Sequence, residues 1–351
     1  MPHEWLLYGA TGYSGGLIAR EAVRLGLEPI LAGRGANVRA LADELKLDAR
    51  VFDVRDADAT RAGLSGVGLV LNCAGPFSAT AAPMIAACLD AGAHYLDITG
   101  EIPVFEHAHA QDVAARARGV VLCPGVGFDV VPTDCLAAAL KEALPDATSL
   151  ALGFDSRSPL SQGTAKTMIE GLPDGGKVRR DGRIVSVPLA AWERRVDMGS
   201  GVTTAITIPW GDVATAYYST GIGNIACWLA VPPRRVKALR RLNYVRPLLR
   251  MRWLQRFMKR RVERGARGPD DSQRTRLSTA VWGEASNAAG RTVTARVRTA
   301  NGYTLTVDAA IAITRVVLER PPGAGGYFTP SQLCGWRFVE TLPGSGPVRF
   351  S

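Results

Sequence analysis

The chain has 351 residues, 47% of them hydrophobic and 21% charged, which is enough to bury a sizeable core and suggests two domains. It has no uncharged apolar stretch of the roughly 18 residues a membrane span needs, its start does not read as a secretory signal, and its scattered cysteines and four histidines lack metal-ligand spacing. Reduced thiols, a cytoplasmic setting and no metal are therefore expected, for a chain whose net charge of +10 lies almost wholly in one segment.

The first 125 residues alternate. EWLLYGA, EPILAGR, ARVFDV, GLVLNCAG, HYLDIT and VVLCPG read as strands, with helix-like GGLIAREAVRLG, ANVRALADELK and AAPMIAACLDAG between them. Such alternation with short loops specifies a doubly wound parallel sheet. The unbroken apolar strand runs fit a sheet covered on both faces. Between the first strand and first helix stand Gly9, Gly12 and Gly15, in the order and context of a Rossmann dinucleotide site. Gly9 permits a tight turn, Gly12 lets a pyrophosphate approach the backbone, and Gly15 allows close helix–strand packing. Thr11, Tyr13 and Ser14 lie beside the phosphates at the helix N-terminus. The second strand ends in LAGRGAN, where an NAD site usually carries an acid. Arg34 stands there instead and suits the 2′-phosphate of NADP. Asp53, closing VFDV, is placed either to touch the adenine or to be an ordinary strand-end acid. A short-chain dehydrogenase is disfavoured, because none of the eight tyrosines has a lysine four residues on.

Three further motifs end strands at the carboxyl edge of the sheet, where ligands gather. NCAGPF offers Asn72, Ala74, Gly75, Pro76 and Phe77 to the nicotinamide ribose, the Gly75-Pro76 turn presenting backbone groups. HYLDITGE places Asp97 and Thr99 there, and PGVGFDVVPTD places Gly127, Phe128 and Asp129. Asp129 and Thr133 can also be read as caps of the helix DCLAAALKEAL. Together with QGTAKTMIEGL, VWGEASNAAG, NGYTLTVDAA and GYFTPSQLCGWRFVETLPG, these motifs resemble the saccharopine dehydrogenase-like oxidoreductases. Within them the pattern is similar to the trans-acting enoyl reductases. The resemblance covers most of the chain. It implies an NADP(H)-dependent reduction and a homodimer formed through the second domain's sheet. Tyr95, Asp97, Asp129 and Lys166 are the candidate proton donors. An enoyl thioester would take hydride at its β carbon and a proton at its α carbon, whereas an imine, the alternative acceptor, needs less help. A non-catalytic NADP-binding scaffold at a membrane is the third reading.

Beyond Asp129 the pattern changes. TSLALGFD, TTAITIPW, ATAYYSTG, IACWLAV, RLSTAVWG and RTVTARVRT read as strands of an α+β domain on a mixed or largely antiparallel sheet. The expected division is a dinucleotide domain over 1–128, a second domain over 129–325, and a segment 326–351 returning to the first, with a helix starting at Thr329-Pro330. Between Pro232 and Gly268, fourteen Lys or Arg stand against the single Glu263, a balance of +13 that leaves about −3 elsewhere. Arg-rich helices carrying Trp253, Leu254, Phe257 and Met258 suit an anionic membrane surface or an acidic carrier holding a hydrophobic lipid or acyl substrate. A helix packed on the domain by its apolar side is the plainer reading. Nucleic acid is not expected, since no recognised nucleic-acid fold accompanies the charge.

Overall fold

The computed structural model describes residues 4–156, 158–159, 161–199, 201–265, 268–319 and 325–351. They fall into two compact units, Met1–Asp129 with Tyr303–Cys334, and Val130–Gly302 with Gly335–Ser351.

The first unit opens with β1 (Glu4–Tyr8), α1 (Tyr13–Arg24), β2 (Ile30–Gly33), α2 (Asn37–Leu45), β3 (Ala49–Val51) and α3 (Ala57–Gly63). It continues with β4 (Val67–Asn72), α4 (Phe77–Ala91), β5 (His94–Asp97), α5 (Ile102–Ala110), α6 (Asp112–Arg118) and β6 (Val121–Cys123). All six strands are parallel in the order β6-β5-β4-β1-β2-β3, and a seventh, Gly326–Tyr327, adds beside β6. Leu6, Leu7, Leu69, Val70 and Leu71 have no exposed surface, as strands covered by helices on both faces require. The strand order reverses between β1 and β4, so the ligand crevice of such a sheet opens at their carboxyl ends. Gly9 stands there with a φ of 81°, and a Cβ on it would lie 2.7 Å from the Ala74 nitrogen. A Cβ on Gly15 would lie 2.2 Å from the Gly9 carbonyl oxygen, so α1 approaches the turn more closely than a side chain permits.

The second unit runs α7 (Val131–Ala143), β7 (Ser149–Asp155), α8 (Gln162–Gly171), β8 (Gly176–Arg180), β9 (Arg183–Val187), β10 (Glu193–Asp197) and β11 (Val202–Ile208). Then follow α9 (Asp212–Thr220), β12 (Asn224–Ala230), α10 (Pro233–Val245), α11 (Arg252–Gly265), α12 (Asp271–Arg276), β13 (Ser278–Ser286) and β14 (Thr292–Ala300). Its sheet is mixed, in the order β10-β11-β12-β7-β13-β14 with Arg349–Phe350 at the edge and the β8–β9 hairpin beside β12. Only the β12–β7 pairing is parallel among the described strands.

The fold class is the expected one, with local differences. ATAYYSTG is the helix α9 rather than a strand; its Ala214, Thr215, Ala216 and Thr220 are buried with the tyrosines half-buried beside them, and burial outweighs strand propensity. The β8–β9 hairpin, absent from the expected strands, turns on the two residues Asp181-Gly182. The helix α13 (Gly302–Glu319) sorts almost wholly with the first unit although 129–325 was expected to form the second. Of the terminal segment, 326–334 joins the first unit and 335–351 the second. Pro330 does open a short helix, Pro330–Cys334.

Gly15→Ala tests the closeness of α1 to its turn. The added methyl should lower stability by about 1–3 kcal/mol through overpacking, read as a reduced urea midpoint with an unchanged slope.

Candidate functional site: a dinucleotide turn and a carboxyl-lined strand edge

The α1 N-terminus fits a phosphate group. Gly12 is its N-cap, no side chain caps it, and its first turn holds no acid. A Cβ on Gly12 would meet nothing but the Gly9 oxygen, at 3.2 Å, so this face of the turn is open to an approaching group. The backbone N–H groups of the first turn point along the helix axis toward that space. Thr11 is exposed, and Tyr13 and Ser14 are half-buried beside it. The Tyr13 ring meets Tyr303 of α13 edge-on, at 5.1 Å between centroids. Arg34 is exposed immediately after β2, where a 2′-phosphate would be met. These residues together fit a bound NADP.

Asp53, read either as an adenine contact or as an ordinary strand-end acid, pairs with its neighbour Arg55. Both its oxygens accept hydrogen bonds from the Arg55 side chain, at 3.0 and 3.1 Å from Nε. The Arg55 guanidinium first, then its backbone N–H, hold the Asp53 carboxyl down to about 2. Asp53 is thus the partner of an ion pair with Arg55.

The edge formed by β4, β5 and β6 carries the remaining candidates. Asn72 is fully buried; its Oδ1 accepts from the Ala74 N–H at 3.0 Å and its Nδ2 donates to the Tyr95 hydroxyl at 3.3 Å. Tyr95 in turn donates to Asp97 Oδ2 at 2.7 Å. Asp97 Oδ1 accepts from Thr99 N at 3.0 Å and Gly125 N at 2.9 Å. Loss of water pushes the Asp97 carboxyl up to about 6, against the hydrogen bonds that favour its charge. Burial first, and the Asp97 charge second, raise Tyr95 well above the usual phenol range. Neither residue has exposed surface. Tyr95 and Asp97, expected as proton donors, are fully buried and bonded to each other, and together they tie three strand ends.

The NCAGPF turn also differs in detail. Gly75 and Pro76 are exposed and Ala74 and Phe77 half-buried, but the Phe77 and Ser78 N–H groups are taken. They donate to the two oxygens of Glu101, at 2.9 and 2.8 Å. Glu101 thus caps α4 and sets a negative charge on the edge. Gly127 and Phe128 follow β6 and pack on α13: Phe128 N donates to Thr306 Oγ1 at 3.0 Å, and a Cβ on Gly127 would lie 2.9 Å from the Thr306 methyl.

Asp129 is the exception on this edge. It is half-buried, and among the described residues no hydrogen bond reaches its carboxyl. Desolvation first, then the Glu101 charge, push it up to about 7. It caps nothing: α7 starts after Val130, and Thr133 donates to Asp212 at 2.8 Å and to the Val130 carbonyl at 3.0 Å. The Asp129 carboxyl lies against the Gly100 backbone, where a Cβ would come within 2.7 Å of Oδ2. Lys166, the fourth expected donor, is a half-buried residue of α8 and belongs to the second unit. Sequence reasoning missed Glu101, Gly100 and Thr306. The first two stand inside HYLDITGE, where the spacing Asp97-x-x-x-Glu101 was the available signal.

Residues 5–123 match the family model of the saccharopine dehydrogenase NADP binding domain. The matched residues all lie in the first unit. The chain is 31% identical over 150 residues to a probable mitochondrial saccharopine dehydrogenase-like oxidoreductase of Arabidopsis thaliana, covering 38% of this chain and 33% of that one. It is 34% identical over 192 residues to a putative trans-acting enoyl reductase of Mycobacterium tuberculosis, covering 48% of this chain and 44% of the relative. The match thus spans less than half the length of these relatives. Saccharopine dehydrogenase (L-Glu forming) from Saccharomyces cerevisiae superposes with a TM-score of 0.65 at 12% identity, over 99% of this chain and all of the other. That likeness establishes the fold.

Two substitutions separate the roles on this edge. Arg34→Asp should weaken NADPH binding by about 1–3 kcal/mol, the range of a charge-assisted hydrogen bond, and leave NADH nearly unaffected in calorimetric titration. Tyr95→Phe should cost about 1–3 kcal/mol of stability by leaving buried polar partners unsatisfied, measured by chemical denaturation.

Proposed function

We propose that the protein is an NADP(H)-dependent oxidoreductase that reduces a C=C bond conjugated to a carbonyl in a hydrophobic, lipid- or carrier-linked substrate. The observation that carries this reading is Asp129: a carboxyl free of hydrogen bonds among the described residues and pushed up to about 7 beside the Glu101 charge. The family match and the open glycine turn support the cofactor. When bound, NADPH supplies a hydride equivalent to the acceptor carbon.

The chain's own residues supply the rest. The turn at Gly9, Gly12 and Gly15, with Arg34, binds and orients the dinucleotide. Asp129 near neutral pH holds a proton at one carboxyl oxygen and can deliver it to the carbon next to the carbonyl. Glu101 keeps that proton in place by repelling the charged form of Asp129. Gly100 lets the carboxyl lie against the strand edge. The Glu101 charge at this edge would disfavour a polycarboxylate substrate. The same charge would favour an iminium carbon, and imine reduction is the second reading. The two differ in protonation: C=C reduction needs Asp129 protonated, whereas an iminium acceptor is helped by its charge.

Asp129→Asn tests this directly. NADPH oxidation with an enoyl thioester should fall by about 10²–10⁴-fold, the usual contribution of a general acid, while NADPH affinity stays the same. In the native protein the rate should decline as pH rises through about 7, because the protonated form is lost. A rate that rises over that range, with turnover of imines alone, would replace the first reading by the second. NADPH binding without turnover on either class would leave a cofactor-binding scaffold.

The same shift makes a stability prediction of opposite sense. The folded Asp129 holds its proton above the usual carboxylate value of 3.8, so ionising it opposes folding as pH rises toward and through about 7. Asp129→Asn should therefore raise the melting temperature at pH 8 and leave it little changed at pH 4.

A further inference from the structure

The basic segment holds exposed apolar side chains that its own packing does not use. Fourteen large hydrophobic side chains are exposed among the described residues, and six of them fall within 244–257: Tyr244, Val245, Leu248, Met251, Trp253 and Phe257. α11 is held by one side. Gln255 Nε2 donates to the Ile169 carbonyl at 3.1 Å and the Leu249 carbonyl at 2.8 Å, Lys259 pairs with Glu170, and Leu254 and Met258 are half-buried. These contacts fix the helix on α8 and on the turn Arg246–Arg250.

The other side is different in kind. Trp253 is 62% exposed and Phe257 57% exposed, one turn apart. Arg256 and Arg260 are exposed at the i+3 and i+7 positions from Trp253, so the four residues form one continuous strip. Among the described residues, Arg256, Arg260 and Arg261 have no carboxylate within 4 Å. The plain reading, a helix docked by its apolar side, accounts for Leu254 and Met258 but not for this strip.

We propose that the Trp253–Arg256–Phe257–Arg260 face of α11 docks on an anionic lipid bilayer. Charge complementarity argues for it: the segment carries +13 while the rest of the chain is near −3. The form of the face argues for a bilayer over a folded partner. It is a convex helix side with aromatic rings between guanidinium groups. Rings of this type lie at the headgroup–acyl boundary while Arg side chains reach lipid phosphates. No helix of the described residues is long and apolar enough to cross a membrane, so the contact is one of surface adsorption. The proposal does not rest on the hydride chemistry, and either can fail without the other.

The experiment is co-sedimentation of the full chain with vesicles of phosphatidylcholine alone and of phosphatidylcholine mixed with phosphatidylglycerol. The protein should bind the mixed vesicles, and added salt should release it. Arg256→Gln with Arg260→Gln should lower the partition coefficient about 30-fold, at roughly a factor of five per basic residue. The corresponding double Lys variant should retain most of the binding. Trp253→Ala with Phe257→Ala should weaken adsorption to the mixed vesicles too, and every variant should keep native NADPH affinity and melting temperature. Equal binding to both vesicles, no binding, or binding unchanged in the Gln and Ala variants overturns the proposal. Capture by an acidic acyl carrier protein without vesicle binding, or a dimer lost on Trp253→Ala by sedimentation velocity, overturns it and assigns the face to that partner.

Discussion

Asp97 is a carboxylate that the first sheet has removed from water, and the edge at which ligands gather is organised around satisfying it. Buried charge is unfavourable unless hydrogen bonds replace hydration. The donors come from three places: the Tyr95 hydroxyl on β5 itself, the Thr99 N–H just beyond it, and the Gly125 N–H beyond β6. Tyr95 also accepts from Asn72, whose Oδ1 holds the Ala74 N–H against which Gly9 packs. The glycine turn is therefore tied, through one chain of hydrogen bonds, to the segment that carries Gly127 and Asp129. A network of this type rigidifies when complete and is destabilising when broken. It gives the glycine turn and Asp129 a common frame.

Three carboxyl groups on this edge have three different environments, and these set their ionisation apart. Asp97 accepts three hydrogen bonds, which favour its charge against the burial that pushes it up to about 6. Glu101 accepts two N–H groups at the start of α4, where the helix dipole favours its charge. Asp129 receives no hydrogen bond among the described residues and faces a like charge, so it is driven furthest of the three toward the neutral form. Pairs of acids pushed apart in this way mark acid–base assignments. The arrangement opposes folding at neutral pH, as a group kept out of its preferred ionisation state must.

Most of the first unit was legible because its signals are local. Continuous apolar runs, glycines between strand and helix, and Arg34 after β2 all report backbone geometry within a few residues. The second unit was less so. ATAYYSTG carries strand-like residues whose helix is decided by burial, which no short window contains. The return of α13 to the first unit is likewise a long-range fact, made through Thr306 meeting Gly127 and Tyr303 meeting Tyr13. Among site residues the motifs located the edge but not the roles. Tyr95 and Asp97 have the chemistry of proton donors in sequence, and only their mutual hydrogen bond and full burial show that they face each other. Glu101 was not legible because its function is set by two N–H groups of a helix that begins twenty-four residues earlier.

The basic segment raises the question of what keeps α11 helical at all. Arg256 and Arg260 stand at four-residue spacing, and like charges so placed destabilise a helix by a few tenths of a kcal/mol per pair. Two carboxylates of the second unit offset part of this: Glu170 pairs with Lys259 of the helix, and Asp174 with Arg250 just before it. The second contact is long and exposed, at 3.5 Å, and adds little. Gln255 and the half-buried Leu254 and Met258 must therefore supply most of what holds α11 in place. A helix that relies on one face for its stability is free to vary the other, where short polar side chains would serve solubility without repulsion. Trp253 and Phe257 beside Arg256 and Arg260 do the opposite, adding both exposed apolar area and unscreened charge. A surface that is negative and partly apolar removes both liabilities together, whereas water at moderate salt screens only the second.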